Sequence, residues 1–168
     1  MVAVPIVHLF GSPYVVLIRR ARKLKRHPNQ VAFPGGIVEE NESMVDALFR
    51  ELEEEVGVLK QNCKLLGKLS PTVTAKSNLY MQPFLVKIEL PHFQLNRSEV
   101  EDIYFVELNL FEENHCEEIV LPNGGKTFRF KFGDLIVWGA TARIMRNSFL
   151  QIEHLLEGYK DELPRNEG

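Results

Sequence analysis

A strongly amphipathic segment between residues 43 and 57 constrains the fold of this 168-residue chain more than any other feature. Ser43, with Asp46 three positions later, forms the capping pattern of a helix start, and Gly57 is placed to end the helix. Apolar side chains recur between them with helical spacing, at Val45, Leu48, Phe49, Leu52 and Val56. A helix with one apolar face must pack that face against another layer of structure.

The rest of the chain predicts a sheet as that other layer. Runs rich in β-branched and aromatic residues indicate strands at 2–7, 14–18, 31–33, 65–69, 81–88, 103–108, 119–121 and 127–132. Asn123-Gly124-Gly125 is a hairpin signal between the last two, and a second helix is predicted at about 138–157. Strands that surround one helix and end in a second predict an α/β (α+β) fold with a mixed sheet between helices.

Length and composition are those of an ordinary globular domain, with 45% hydrophobic and 26% charged residues. We expect one domain over residues 1–160, followed by a polar, frayed tail at 161–168. No apolar run is long enough to predict a membrane span, and the first residues lack the pattern of a secretory signal. Cys63 and Cys116 have neither metal-type nor redox-type spacing, so we expect unpaired thiols in a reducing cytoplasm.

The net charge of −3 argues against a dedicated nucleic-acid binder and against a membrane-surface protein. The charge is nevertheless unevenly distributed along the chain. Six of the twenty Lys and Arg residues lie between Arg19 and Arg26, whereas residues 39–55 contain eight acidic residues and the single base Arg50. The basic stretch ends in Pro28-Asn29, which breaks a helix, so this stretch is predicted to be a loop.

Three glutamates share one flank of the predicted helix, beside its apolar stripe. At about 100° per residue, Glu51, Glu54 and Glu55 fall within roughly 100° of arc, whereas Glu53 points elsewhere. Like charges on adjacent turns repel one another, so this flank is either an acidic solvent-exposed face or a site for a divalent cation. The pair Gly35-Gly36, which permits close approach of the backbone to a ligand, favours the cation site.

Gly36, Glu42 and residues 50–58 together resemble the complete Nudix box. The box asks for seven fixed residues and two aliphatic ones, and each is present at the required spacing. The resemblance implies a Nudix hydrolase with an α/β/α sandwich and a mixed sheet. Such enzymes hydrolyse a nucleoside diphosphate linked to another group, using Mg²⁺ or Mn²⁺ held by the helix.

The resemblance also implies a role for each residue of the box. Glu51, Glu54 and Glu55 become the metal ligands, and the Gly36 carbonyl becomes a further one. Glu51 and Glu55 are the preferred pair, since carboxylates at i and i+4 can clamp a single ion. Arg50 is expected to orient Glu51, so the catalytic residues implied are Glu54, Glu51 and Arg50.

Three other positions of the motif have structural roles, because Glu42, Gly35 and Gly57 are expected to hold the loop and the helix in place. The general base varies within the family, so the resemblance leaves it open. The candidates are Glu54, Glu51 or a carboxylate from elsewhere in the chain, namely Glu99, Glu101 or Asp102.

The basic stretch before the helix is similar to the signature of coenzyme A pyrophosphatases. Arg19, Ala21 and Phe33-Pro34-Gly35-Gly36 match that signature at the right spacing. Beyond conservative changes, four positions depart from it: Leu17 stands for Thr, Arg20 for Ser, Lys25 for Arg and Asn29 for Gly. Asn29 can still adopt the left-handed backbone of a glycine, so we expect the turn to survive.

We therefore expect hydrolysis of coenzyme A, or of its acyl or oxidised derivatives, to 3′,5′-ADP and 4′-phosphopantetheine products. Arg19, Lys25 and Arg26 are the expected substrate-binding residues, since a basic cluster suits the phosphates of this molecule. Two other functions stay open: a Nudix pyrophosphatase for ADP-ribose, NADH, dinucleoside polyphosphates or oxidised nucleotides, and a nucleotide sensor without hydrolysis. In each case the expected partner is a small nucleotide rather than a nucleic acid or a membrane, and the chain is expected to be a monomer or a homodimer.

Overall fold

The structure is a computed structural model that describes residues 1–74 and 78–162. Its two helices are α1, Met44–Val56, and α2, Gly139–Glu162. Its strands, in chain order from β1 to β11, are Val2–Leu9, Ser12–Arg20, Val31–Ala32, Cys63–Lys68, Thr72–Val73, Tyr80–Met81, Pro83–Ile88, Val100–Glu107, Glu117–Val120, Lys126–Phe132 and Leu135–Trp138.

Six of these strands form a central sheet with the order β3-β2-β1-β7-β4, and β8 pairs with β2. Strand β1 runs parallel to β7, whereas the other paired strands of this sheet are antiparallel, so the sheet is mixed, as predicted. A two-residue turn joins β1 to β2. Both of its residues, Phe10 and Gly11, have positive φ (52° and 83°), as a tight hairpin turn requires.

Alternation along β1 directs successive side chains to opposite faces of the sheet. Val4 and Ile6 belong to the core cluster that α2 closes, whereas Ala3 and Val7 belong to the cluster that α1 closes. The sheet therefore lies between the two helices, and the predicted α/β/α layering with a mixed sheet is confirmed.

The caps of α1 confirm its predicted limits. The Ser43 hydroxyl accepts a hydrogen bond from the Asp46 N–H at 3.1 Å, and Gly57 ends the helix in the left-handed conformation with φ 72°. A Cβ at Gly57 would lie 2.8 Å from the Gln94 backbone oxygen, so a larger side chain does not fit there. The apolar stripe is buried against the sheet at Leu48, Phe49, Leu52 and Val56.

A smaller antiparallel sheet, formed by β9, β10 and β11, packs against α2. Its first two strands are joined at the predicted hairpin, with Gly124 at positive φ (80°). The sequence-based prediction omitted β11 and began the last helix at about residue 138. Residues 135–138 instead continue the sheet, because Val137 fills a fully buried position beside its strand partner Phe130, and α2 begins at Gly139.

Two further predictions are corrected. The strand predicted at 81–88 is divided at Gln82, whose side-chain amide donates to the backbone oxygens of Leu69 and Pro83, each at 2.9 Å. Helix α2 extends to Glu162, so residues 161 and 162 belong to the helix rather than to the expected tail. Residues 163–168, the rest of that tail, lie outside the described residues. Neither helix of the described part is long and apolar enough to cross a membrane.

Candidate active site

The loop between β3 and α1 passes close to the start of β1 and to the acidic flank of α1. The Ala3 N–H donates to the Pro34 carbonyl at 2.8 Å, and the Gly36 N–H donates to the Met1 carbonyl at 3.1 Å. A Cβ at Gly35 would lie 2.5 Å from the Met1 oxygen, and one at Gly36 would lie 2.2 Å from Glu51 Oε1. Gly35 therefore needs glycine because it lies against backbone atoms, whereas Gly36 lies directly against the Glu51 carboxylate, which a larger side chain would displace.

Glu55 is the most buried carboxylate of the site, with 1% of the residue exposed. Its Oε2 accepts a hydrogen bond from the Gly35 N–H at 2.8 Å, and its Oε1 lies 3.8 Å from Arg20 Nη1. Burial, and to a smaller extent the charges of Glu51 and Glu99, raise the pKa of Glu55 to about 8, against the opposing effects of the Gly35 hydrogen bond and of Arg20. An additional cation beside Glu55 would therefore offset a large electrostatic cost.

Glu51 lies one turn before Glu55 and faces the same loop, against Gly36. Burial raises the pKa of Glu51, while the hydrogen bond that Arg50 Nη1 donates to its Oε1 at 3.0 Å lowers it. The charges of Glu54 and Glu99 also raise this pKa. Glu51 and Glu55 thus form a pair of carboxylates at the loop, each with a raised pKa.

Arg50 joins the other acidic groups into a network. Its guanidinium donates two hydrogen bonds to Glu42, at 3.1 and 2.7 Å, one to Glu54 at 3.1 Å and one to the Ile37 carbonyl at 3.3 Å. Glu42 also accepts from the Glu39 N–H at 2.7 Å, and these hydrogen bonds hold the pKa of Glu42 below its usual value. The network ties the loop to α1 through a single cation.

Glu54 is placed differently from the other two glutamates of the flank. Half of its side chain is exposed (52%), against 13% for Glu51, and its carboxylate is turned toward Arg50. Within residues 1–74 and 78–162, no three His, Cys, Asp or Glu groups converge closely enough to hold a metal ion. The structure therefore brings together Glu51 and Glu55, with Glu54 at the margin.

Of the candidate bases outside the helix, Glu99 is the one whose charge reaches the pair, since it raises the pKa of both Glu51 and Glu55. The Glu99 carbonyl accepts from the Ala21 N–H at 2.8 Å, which fixes this residue beside the end of β2. Asp102 instead lies 3.7 Å from Arg19 Nε, on the opposite face of the sheet from Arg20. No described contact joins Glu101 to the pair.

The two arginines at the end of β2 face opposite sides of the sheet. Arg20 turns toward Glu55, whereas Arg19 donates to the Tyr104 hydroxyl at 2.7 Å and lies over the Tyr104 ring. Sequence reasoning counted Arg20 in the basic cluster and noted it as a departure from a signature, but it missed this ion pair. The alternation of a strand could have shown it, because Arg20 shares a side of β2 with Ile18, which packs under α1.

The basic loop, defined as residues 21–28, is closed by two backbone hydrogen bonds between Arg20 and residues 29 and 30, at 3.0 and 2.9 Å. Asn29 has φ 60°, so the left-handed turn expected there is confirmed. Lys25 and Arg26 are exposed, and they form no hydrogen bond or ion pair with any other residue that the structure describes. The structure therefore does not bring these two side chains onto the carboxylates.

The family model of the NUDIX domain matches residues 1–122, which include the loop, α1, the basic loop and Glu99. The chain belongs to the Nudix family. The uncharacterized Nudix hydrolase NudL of Yersinia pestis is 30% identical to it over 148 residues, covering 84% of this chain and 73% of the relative.

Solved Nudix structures share the fold at lower identity. A MutT/nudix family protein from Enterococcus faecalis is 18% identical, with TM-score 0.60 over 91% of this chain and 61% of the other. The NUDIX domain of Shewanella oneidensis NrtR complexed with ADP ribose is 13% identical, with TM-score 0.53 over 95% and 85% of the two chains.

Family membership and the Nudix hydrolase relatives make this chain a pyrophosphohydrolase. Nudix hydrolases act on small nucleotide substrates and generally use divalent metal cations. The loop and the carboxylate pair described above are parts of its Nudix box.

Proposed function

We propose that this Nudix hydrolase cleaves the diphosphate linkage of coenzyme A, or of its acyl or oxidised derivatives. The products are 3′,5′-ADP and 4′-phosphopantetheine or its acylated or oxidised form. We further propose that the chain acts in the cytoplasm, as a monomer or homodimer. The free thiols of Cys63 and Cys116 fit a reducing compartment.

One observation carries the choice of substrate: the segment that resembles the coenzyme A signature adjoins the carboxylate pair. Gly35, which matches the signature, donates to Glu55, and Arg20, which departs from it, lies 3.8 Å from the same carboxylate. A substrate with a diphosphate and a separate 3′-phosphate can thus contact the acidic site and the basic loop together. Asn29 preserves the turn that the signature builds with glycine.

The donor set of the loop fits a divalent cation, which we propose is Mg²⁺ or Mn²⁺. Glu51 and Glu55 supply carboxylate oxygens whose burial and mutual repulsion are only partly compensated, and Gly36 lies against Glu51. The Gly36 oxygen accepts one hydrogen bond, from the Met1 ammonium at 2.9 Å, and has a second lone pair. Mg²⁺ commonly takes one or two carboxylates and keeps several waters, so it does not require a cluster of three.

A bound divalent cation supplies charge neutralisation on the diphosphate and lowers the pKa of water. The chain's own residues position the reacting groups. Arg50 fixes the orientation of Glu51 through its hydrogen bond and is itself held by Glu42. We propose Glu99 as the general base, because its carboxylate is close to the pair without belonging to the helix. Glu54 and Glu51 are the alternative bases.

Arg19, Lys25 and Arg26 are the proposed substrate-binding residues. Lys25 and Arg26 project from the basic loop into solvent, where their charges are free to pair with phosphate oxygens. Arg19 is held in place by Tyr104, so its guanidinium is ordered before a ligand arrives. An ordered cation loses less conformational entropy on binding than a free one.

The test is product analysis by chromatography with mass detection. Purified protein with Mg²⁺ or Mn²⁺ receives equal amounts of coenzyme A, ADP-ribose, NADH, a diadenosine polyphosphate and an oxidised nucleoside triphosphate. The Glu51→Gln variant, prepared in parallel, controls for contaminating hydrolases. Preferred release of 3′,5′-ADP from coenzyme A supports the proposal.

Other outcomes of the same panel separate the alternatives. Preferred cleavage of ADP-ribose or another substrate keeps the Nudix reaction and overturns the choice of coenzyme A. Saturable binding of a nucleotide without cleavage of any substrate assigns the chain as a sensor.

A further inference from the structure

A cleft of about 240 Å³ lies between the end of the basic loop and the β10–β11 hairpin. The Nudix box contributes nothing to it. Its walls include Arg19, Asn29, Gln30, Asp134, Ile136 and Trp138.

One wall of the cleft is apolar and exposed. Ile136 and Trp138 alternate along β11 and so share one face, and each has 42% of its surface exposed. Val137, between them, points the other way and is fully buried, which fixes the strand and the face to which both neighbours belong. Among the described residues, Trp138 makes no ring contact and its indole N–H has no hydrogen-bond partner. A large planar side chain is thus carried on a fixed strand with much of its surface available.

The opposite wall carries polar groups. Arg19 is anchored by the Tyr104 hydroxyl at 2.7 Å, and Asn29 and Gln30 belong to the closed end of the basic loop. Asp134, in the turn that joins β10 to β11, adds a carboxylate on the hairpin side of the cleft. Amide, carboxylate and guanidinium groups opposite an aromatic plane are the combination that recognises a nucleobase, whose edge donates and accepts hydrogen bonds and whose face stacks.

Arg20 connects the border of the cleft to the carboxylate pair. The Arg20 N–H donates to the Gln30 carbonyl at 2.9 Å, and the Arg20 guanidinium lies 3.8 Å from Glu55. A residue that borders the cleft through its backbone therefore contacts the proposed metal site through its side chain. Because Arg19 and Arg20 are consecutive in β2 and face opposite sides of the sheet, a nucleotide whose base occupies the cleft must extend past Arg20 to bring its 5′-phosphates to the carboxylates.

We propose that this cleft binds the nucleobase of the substrate, with Trp138 as the stacking surface. The identity of the base as adenine rests on the proposed function, whereas the position of the base does not. The cleft then fixes one end of the substrate, while the basic loop and the carboxylates contact the phosphates.

The chain contains a single tryptophan, so its intrinsic fluorescence reports on Trp138 alone. We would titrate the metal-free wild-type protein with 3′,5′-ADP and, as controls, with 4′-phosphopantetheine and ribose 5-phosphate, which lack a base. The expected result is saturable quenching by 3′,5′-ADP and none by the two controls. Calorimetry on the same samples should give the same dissociation constant as the quenching.

Variants test the role of stacking independently of the optical signal. Trp138→Ala should raise the dissociation constant of 3′,5′-ADP by about 10-fold, because loss of one base–aromatic stack has an effect of this order. Trp138→Phe should recover most of the affinity, and Leu150→Ala, which removes an exposed side chain from α2, should have no effect. With substrate, Trp138→Ala should raise KM and leave kcat nearly unchanged, since the base is remote from the bond that breaks. Circular dichroism verifies that each variant is folded.

The proposal is overturned if calorimetry detects binding of 3′,5′-ADP to the wild type without quenching of its fluorescence, and Trp138→Ala binds 3′,5′-ADP with the same affinity. It is also overturned if the wild type is a dimer, Trp138→Ala is a monomer, and both bind the nucleotide with the same affinity. Ile136 and Trp138 would then belong to a contact between two copies of the chain. If AMP or ADP-ribose quenches the Trp138 fluorescence but coenzyme A is not hydrolysed, the base site is supported and coenzyme A is rejected as the substrate. Hydrolysis of coenzyme A with an unchanged KM in Trp138→Ala retains the proposed substrate and rejects the base site.

Discussion

The guanidinium of Arg50 donates two parallel hydrogen bonds to the Glu42 carboxylate, at 3.1 and 2.7 Å. Glu42 belongs to the loop and Arg50 to the helix, so this fork fixes the loop relative to the acidic flank. The same guanidinium donates to Glu51 at 3.0 Å. The orientation of the Glu51 carboxylate is thereby coupled to the position of the Glu42 carboxylate, which lies eight residues before Arg50 in the chain.

Arg50→Lys keeps the positive charge but removes the fork, so Lys can satisfy Glu42 or Glu51 and not both. We expect a fall in kcat/KM of about 10- to 100-fold, the usual effect of losing a group that orients a metal ligand. Steady-state kinetics and Mn²⁺ calorimetry measure the two consequences. Activity and Mn²⁺ affinity equal to those of the wild type would show that the fork does not orient Glu51.

The two exposed neighbours on α1, Glu53 and Glu54, provide a matched comparison with Glu51. Glu51→Gln and Glu54→Gln should each lower turnover by about 100-fold or more with the fold intact, since each removes a carboxylate from the reacting centre. Glu53→Gln, which removes the same charge from a side chain outside the network, should retain activity. Turnover close to that of the wild type in both of the first two variants would remove the metal and catalytic assignment.

The ion pair between Arg20 and Glu55 places a positive charge where a divalent cation is proposed to bind. Arg20→Ser introduces the residue of the coenzyme A signature at this position. We expect the variant to bind Mn²⁺ about 5-fold more tightly without substrate, because a cation that competes electrostatically has been removed. Calorimetry tests this, with Arg22→Ser in the exposed basic loop as the matched control. Weaker Mn²⁺ binding in Arg20→Ser would mean that Arg20 positions Glu55 for the metal.

Helix α1 could be predicted to within a residue because its signals are local. Ser43, Gly57 and the apolar stripe between them report on neighbouring turns of one helix. Strand β11 could not be predicted, since it is four residues long and runs directly into a helix. Its conformation depends on pairing with β10 and on a buried position for Val137, which are contacts distant in sequence.

In the candidate site, too, local features could be predicted from the sequence and contacts between distant residues could not. The spacing of the box predicted that Glu51 and Glu55 share a flank, because that is a property of one helix. The contact of Arg20 with Glu55 depends on how α1 packs against the sheet. The proximity of Glu99 depends on the register between β2 and β8, which brings together residues about 80 positions apart. A single sequence contains no local signal for such a register.

Lys25 offers a test of how the basic loop reads the substrate. Removal of the charge at Arg19 or Lys25 should raise KM for coenzyme A more than for ADP-ribose, because ADP-ribose lacks the 3′-phosphate. Lys23→Ala, in the same exposed loop, is the control for Lys25→Ala. Steady-state kinetics with both substrates measures the ratio of KM values, and equal effects on the two substrates would refute recognition of the 3′-phosphate.

His8 and Lys87 form a close contact at the end of the β1–β7 pairing, between the imidazole Nδ1 and the ammonium Nζ. Burial lowers the pKa of His8, and the charges of Lys87 and Lys160 lower it further. The unfolded chain therefore binds a proton more readily than the native protein just below the ordinary histidine value of 6.5. The stability that neutral His8 contributes is complete above that value and is lost as the pH falls through it.

His8→Gln should reduce the loss of unfolding free energy between pH 7.5 and pH 5.5, measured by urea denaturation. His154→Gln, an exposed change on α2, is the control, and identical pH profiles for the wild type and both variants would contradict the linkage.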